Sequence, residues 1–174
     1  MGTNTLDEQF VDEPDARPKV AKSLRARAID ALARREHTRL ELQRKLSPHA
    51  EDPEKLSVLL DDLEQRGWLS DARYAEQRAH ASQSRYGSRK IEYELRQQGV
   101  AESLISTTLD NLKASEFDRA LQVWLKKYTA PATTPKERNQ QMRFLQSRGF
   151  EMEVIYRVVN MNEQALAEYA HQQT

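Results

Sequence analysis

The chain has 174 residues, 38% hydrophobic and 31% charged, with 27 basic and 27 acidic side chains and no net charge. That length suits one ordinary domain or a short repeat array, and five glycines with six prolines are too few for a turn-rich all-β chain. Without cysteine there are no disulfides or thiolates; with no apolar run near the ~20 residues of a membrane helix, and an acidic start that no signal peptide has, a soluble cytoplasmic protein is expected.

Residues 1–22 are acidic, carry Pro14 and Pro18 and lack apolar periodicity, which predicts a disordered segment. A first helix is expected from about Ser23 to Arg35, with Leu24, Ala28, Ala31 and Leu32 on one stripe. Thr38 with Glu41 reads as a capping box opening a second helix, which Pro48 ends. Asp52, Pro53 and Glu54 start a third, striped by Leu56, Leu59, Leu60 and Leu63. Ser70 caps the next helix, with Tyr74, Ala75 and Ala79 inward. After Gly87, Ser88 is expected to cap a helix carrying Ile91 and Leu95. Leu104, Ile105, Thr108, Leu109 and Leu112 form the stripe after it. Ser115 with Asp118 opens a further helix, where Phe117, Ala120, Leu121, Trp124 and Tyr128 give the clearest 3.6-residue period in the chain. Thr134, Pro135 and Glu137 give a complete start signal, Met142 and Leu145 continue inward, and Val154, Ile155, Val158 and Val159 line the ninth helix. Residues 161–174 read as a polar tail, partly helical around Leu166 and Tyr169.

Three segments share one ending: Leu63 to Trp68, Leu95 to Val100 and Leu145 to Phe150 each run leucine, three polar residues, glycine, apolar residue. This is the pattern of a Schellman stop, with glycine in the left-handed position and the apolar residue folded back on the leucine. The second and third stops lie 50 residues apart, as do Ile105 and Ile155, which predicts stacked helical units. The fold expected is all-α: three tandem three-helix repeats, residues 23–69, 70–113 and 114–160, stacked into an elongated, curved array. Charge follows the same phase. Residues 77–100 hold five bases and two acids and residues 119–148 seven and one, whereas residues 101–118 hold one and four. Stacking is expected to gather the basic first and second helices on one side.

The sequence offers little for catalysis. His37, His49, His80 and His171 show no metal-ligand spacing, the glycines read as isolated helix stops rather than a phosphate loop, and no nucleophile elbow is present. No cofactor is expected. The basic residues remain: Arg39, Arg44 and Lys45 in the first unit, Arg85, Arg89, Lys90 and Arg96 in the second, Lys126, Lys127, Arg138, Arg143 and Arg148 in the third. Guanidinium and ammonium groups on successive helices suit phosphates or an acidic protein groove. Tyr86 is read as packing beneath the Gly87 turn rather than stacking on a base.

At these residues the chain resembles the RecX family, regulators of the RecA recombinase. Gly67-Trp68-Leu69-Ser70-Asp71 with Tyr74-Ala75, Tyr86-Gly87-Ser88-Arg89-Lys90-Ile91 with Glu94-Leu95 and Gly99-Val100, and Phe144-Leu145 with Arg148-Gly149-Phe150 carry the likeness. His37, Arg39, Glu41-Leu42 and Lys45-Leu46 extend it into the first unit, although that unit's second helix ends in Ser47-Pro48 without a glycine. The resemblance covers about residues 23–160. It implies a monomeric, non-catalytic protein that binds in the groove of the RecA–DNA filament and inhibits ATP hydrolysis, strand exchange and co-protease activity. The alternative left open is a helical repeat protein binding single- or double-stranded DNA directly, without a protein partner.

Overall fold

The computed structural model describes residues 22–172, so the expectation for the acidic start lies, Lys22 apart, outside the described residues. The described chain is all-helical. Helices α1 (Leu24–Leu32), α2 (Arg39–Leu46) and α3 (Pro53–Gln65) form the first unit, α4 (Asp71–Ser82), α5 (Ser88–Gln97) and α6 (Glu102–Lys113) the second, α7 (Glu116–Leu125), α8 (Pro135–Ser147) and α9 (Met152–Val159) the third. In the tail, the helix expected around Leu166 and Tyr169 forms as a tenth, α10 (Glu163–Gln172). Its Leu166 and Tyr169 pack against the third core, which is what orders it.

Each unit buries its own cluster: Leu42, Leu46, Leu60 and Leu63 in the first, Ile91, Leu95 and Ile105 in the second, Leu121, Trp124, Leu145 and Phe150 in the third. Three small cores in series make a stacked array, in which each unit depends on its neighbour's surface. The stops form as the sequence predicts. Gly67, Gly99 and Gly149 have φ of 68°, 74° and 77°. The amides of Trp68, Val100 and Phe150 donate to the carbonyls of Leu63, Leu95 and Leu145 at 2.9, 3.2 and 3.3 Å. One side chain differs from expectation: Trp68 is 47% exposed, and it is Leu69 that enters the first core. Trp68 lies instead against the guanidinium groups of Arg25 and Arg66.

The helix starts are mostly as read. Ser23, Thr38, Asp52, Ser70 and Thr134 each accept a first-turn amide, and Thr134 with Glu137 forms a full capping box. The box expected at Thr38 is half made, because Glu41 turns to Arg35 rather than back to the cap. Ser115 does not cap α7; its hydroxyl donates to the Leu112 carbonyl.

Ser88 is not a cap either, and the reason is the junction between units. The cap position is Gly87, and the Ser88 amide and hydroxyl donate to the buried Glu116 carboxylate of the next unit at 3.1 and 2.7 Å. The amides of Gly87 and Arg89 donate to the carbonyls of Arg148 and Gly149 at 2.9 and 3.0 Å. The first junction repeats the device. There the Thr38 hydroxyl donates to the Gln98 carbonyl and the Arg39 amide to the Asp71 carboxylate, both at 2.8 Å. In the first two units the second helix thus starts on the glycine stop of the next unit. The orphan amides of one helix are met by the acid and carbonyls that begin and end helices of its neighbour.

Candidate functional site

The second junction carries a cleft of about 310 Å³ lined by Ser84, Arg85, Val123, Lys126, Lys127, Phe144 and Arg148. Arg85 comes from the turn after α4, Lys126 and Lys127 from the end of α7, and Phe144 and Arg148 from the last turns of α8. The turn is held by Arg119, whose guanidinium donates to the carbonyls of Gln83, Tyr86 and Leu112 at 3.2, 3.0 and 3.3 Å. Burial pulls Arg119 below its ordinary pKa, with the Glu116 carboxylate acting in the opposite sense.

Four cations line this cleft with no carboxylate among them, and among the described residues none has an acid within ion-pairing distance. Its floor is apolar. Lys127 Nζ stands 4.3 Å and the Arg148 guanidinium 4.6 Å from the centre of the Phe144 ring. Such contacts position a cation without neutralising it. The Arg148 Nε–H is buried and meets no acceptor among the described residues. The cleft is therefore a preformed, uncompensated positive concavity with an aromatic base. It suits an anionic surface that also brings some apolar contact.

Next to it, Arg89 and Lys90 line a second cleft with Tyr93, Gln146, Ser147 and Gly149. Tyr86 packs against the second core, as expected, and Arg85 and Lys90 flank its ring at 5.8 and 5.5 Å. The two clefts thus meet around Tyr86. Arg138 and Arg143 are exposed on α8.

Other basic residues are differently engaged. Arg39 pairs with Asp61 and Glu64 of α3 at 2.7 and 2.5 Å, and Arg96 pairs with Glu92 and Glu102, both at 2.7 Å. Glu102 holds Arg96 well above, and Arg96 holds Glu102 below, the ordinary range of each group. The acidic third helices thus compensate part of the basic side that charge counting groups together. Arg44 and Lys45 are exposed at the end of α2, and Lys45 shares a groove with Arg27, Arg34 and His49. Sequence reasoning passed over Arg27 of α1 and Arg34, two residues beyond the end of that helix. It also passed over Tyr93 and the buried Glu116, for which no local pattern gives a signal.

Among the described residues no helix is long and apolar enough to cross a membrane, and no group of three or more histidines and acids is placed to hold a metal ion. Residues 70–109 match the family model for the RecX second three-helix domain, and residues 114–159 that for the third. The regulatory protein RecX of Leptothrix cholodnii is 41% identical over 139 residues, covering 80% of this chain and 88% of that protein. That of Ralstonia nicotianae is 41% identical over 144 residues, 83% of this chain and 91% of the relative. The crystal structure of RecX from Lactobacillus salivarius aligns with a TM-score of 0.71 at 17% identity, over 83% of this chain and 95% of that one, a likeness of fold. With identity of this degree along nearly the whole of such relatives, the chain belongs to the RecX family of regulatory proteins.

Proposed function

We propose that the chain binds the RecA–DNA filament through the basic cleft of the second junction and inhibits its ATP hydrolysis, strand exchange and co-protease activity. It does so in the cytoplasm and without chemistry of its own, and so modulates recombination and repair. The observation that carries this reading is the set of four uncompensated cations, Arg85, Lys126, Lys127 and Arg148, around the Phe144 floor. Arg89 and Lys90 of the adjoining cleft and the exposed Arg138 and Arg143 of α8 add further positive charge.

The test is phosphate release by RecA on single-stranded DNA as the chain is titrated in. Release falls with the wild-type chain. Lys126→Glu with Lys127→Glu loses that effect at the wild-type concentration while keeping the helical spectrum, since exposed charges contribute little to folding. Unchanged inhibition by this double variant refutes the cleft as the contact.

A second reading, direct DNA binding without RecA, is supported by the same cations, because phosphates suit them equally. Titration against bare and RecA-coated DNA at physiological salt separates the two. A strong preference for the coated strand supports the regulator, and equal binding that collapses with salt supports the plain DNA binder.

A further inference from the structure

Tyr93 has no packing role. It is 60% exposed, and on α5 it stands opposite the buried Ile91 and Leu95. At 100° per residue, Arg89 and Gln97 flank it one turn to either side, with Lys90 beside them. The two acids of α5 are drawn off elsewhere: Glu94 to Arg78 at 2.8 Å and Glu92 to Arg96 at 2.7 Å. The cleft of about 390 Å³ at this face is lined by Arg89, Lys90, Tyr93, Gln146, Ser147 and Gly149, again with no carboxylate. Among the described residues neither Arg89 nor Lys90 has an acid within pairing distance; Lys90 instead stands over the Tyr86 ring.

An exposed aromatic ring beside unpaired cations is the chemistry that holds a single nucleic-acid strand. Cations track the phosphates, and a base stacks on the ring. An acidic protein surface uses the cations without needing a ring to lay on Tyr93. A duplex offers phosphates but keeps its bases stacked inside. We infer that Tyr93, with Arg89 and Lys90, is a stacking site for a base of single-stranded DNA. This rests on the filament reading for its setting and names the component of the filament met at this face.

The experiment uses the full chain with Trp68→Phe and Tyr93→Trp. This leaves the buried Trp124 as background and puts the reporter at the site. Oligothymidylate is expected to quench the new indole emission. An abasic strand of equal length and polyglutamate, which carry charge without bases, are expected not to. In the wild-type background Tyr93→Ala weakens oligothymidylate binding about tenfold, and Tyr93→Phe stays within about twofold. Absence of quenching at saturating oligothymidylate overturns the inference, and so does wild-type affinity in Tyr93→Ala. Polyglutamate that shifts the emission when oligothymidylate does not also overturns it, and assigns the face to an acidic protein. The two readings fail separately. Inhibition of phosphate release without quenching removes the stacking site alone; quenching by bare strand in a chain that leaves RecA unaffected removes the filament reading alone.

Discussion

Gly87 offers a test of how the units are joined. Its φ is −81°, a value any residue adopts, so a substitution there carries no backbone strain of its own. The obstacle is contact. A Cβ on Gly87 stands 2.3 Å from Phe150 Cα and 2.4 Å from the Gly149 carbonyl oxygen and the Phe150 amide nitrogen, all backbone atoms of the next unit. Relief to ordinary contact requires the backbones to part by about 1 Å. Parting them stretches the amide bonds from Gly87 to Arg148 and from Arg89 to Gly149, each worth about 1 kcal/mol, and it disturbs the buried Phe150. Adding the 1–3 kcal/mol typical of overpacking, Gly87→Ala costs about 3–5 kcal/mol. Gly67→Ala is the control. Gly67 has φ of 68° and open space around its Cβ position, so it pays only left-handed strain of about 1–2 kcal/mol. Urea unfolding in a Trp68→Phe background, followed by Trp124 emission and helical circular dichroism, measures both. Gly87→Ala is expected to lose more stability than Gly67→Ala and to separate the two probes, because Trp124 reports the third core alone. If Gly87→Ala loses no more than Gly67→Ala, the backbone contact does not hold the junction.

Two further outcomes follow from the charges. Arg39→Gln and Arg96→Gln remove cations already paired with acids of their own chain, so both variants inhibit the filament at the wild-type concentration, in contrast to Lys126→Glu with Lys127→Glu; phosphate release reads the difference. Stability falls on acidification: hydrogen bonds from Arg35, Arg66 and Arg96 depress the pKa of Glu41, Asp62 and Glu102, and a depressed carboxyl contributes stability that is present above its unfolded pKa and lost as pH falls through the folded one. The thermal midpoint is therefore flat near neutrality and drops as pH passes through and below the ordinary carboxylate range.

The parts of the fold written in local sequence were legible. A glycine stop needs only its own turn, so Gly67, Gly99 and Gly149 announce themselves. A stripe needs only its own helix, so Ile91 with Leu95 and Leu121 with Trp124 fall inward as read. What failed depends on other units. Ser88 has the composition of a cap, yet the acid that serves its helix comes from Glu116, 28 residues on. Trp68 satisfies the Schellman pattern, but Arg25 and Arg66 hold its ring at the surface while Leu69 enters the core. Among the candidate site residues, sequence identified the cations and not their partners. Arg89 and Arg96 lie on one helix with similar surroundings in sequence, and only the fold shows that Arg96 meets Glu102 across the turn while Arg89 meets no acid.

The two junctions also show why the second one carries the candidate site. Position by position they correspond. Glu94 lies four residues before the cap of α5, and Phe144 four residues before the cap of α8; Arg78 lies seven residues into α4 from Asp71, and Val123 seven into α7 from Glu116. At the first junction these positions hold an ion pair, Arg78 with Glu94, beside the pairs of Arg35 with Glu41 and Arg73 with Glu36. The cleft there is lined by cations and acids together. At the second junction the acid is replaced by Phe144 and its partner by Val123, while Lys126, Lys127, Arg85 and Arg148 gather around them. Folding alone does not favour that exchange. Surface pairs contribute at most about 1 kcal/mol, but like charges around an apolar floor repel one another and leave the ring half-exposed. An anionic partner with apolar contact reverses both terms, since it neutralises the cations and covers Phe144. The unfavourable feature of the free chain is thus the favourable feature of a complex, and it occurs in the cleft that no acid lines.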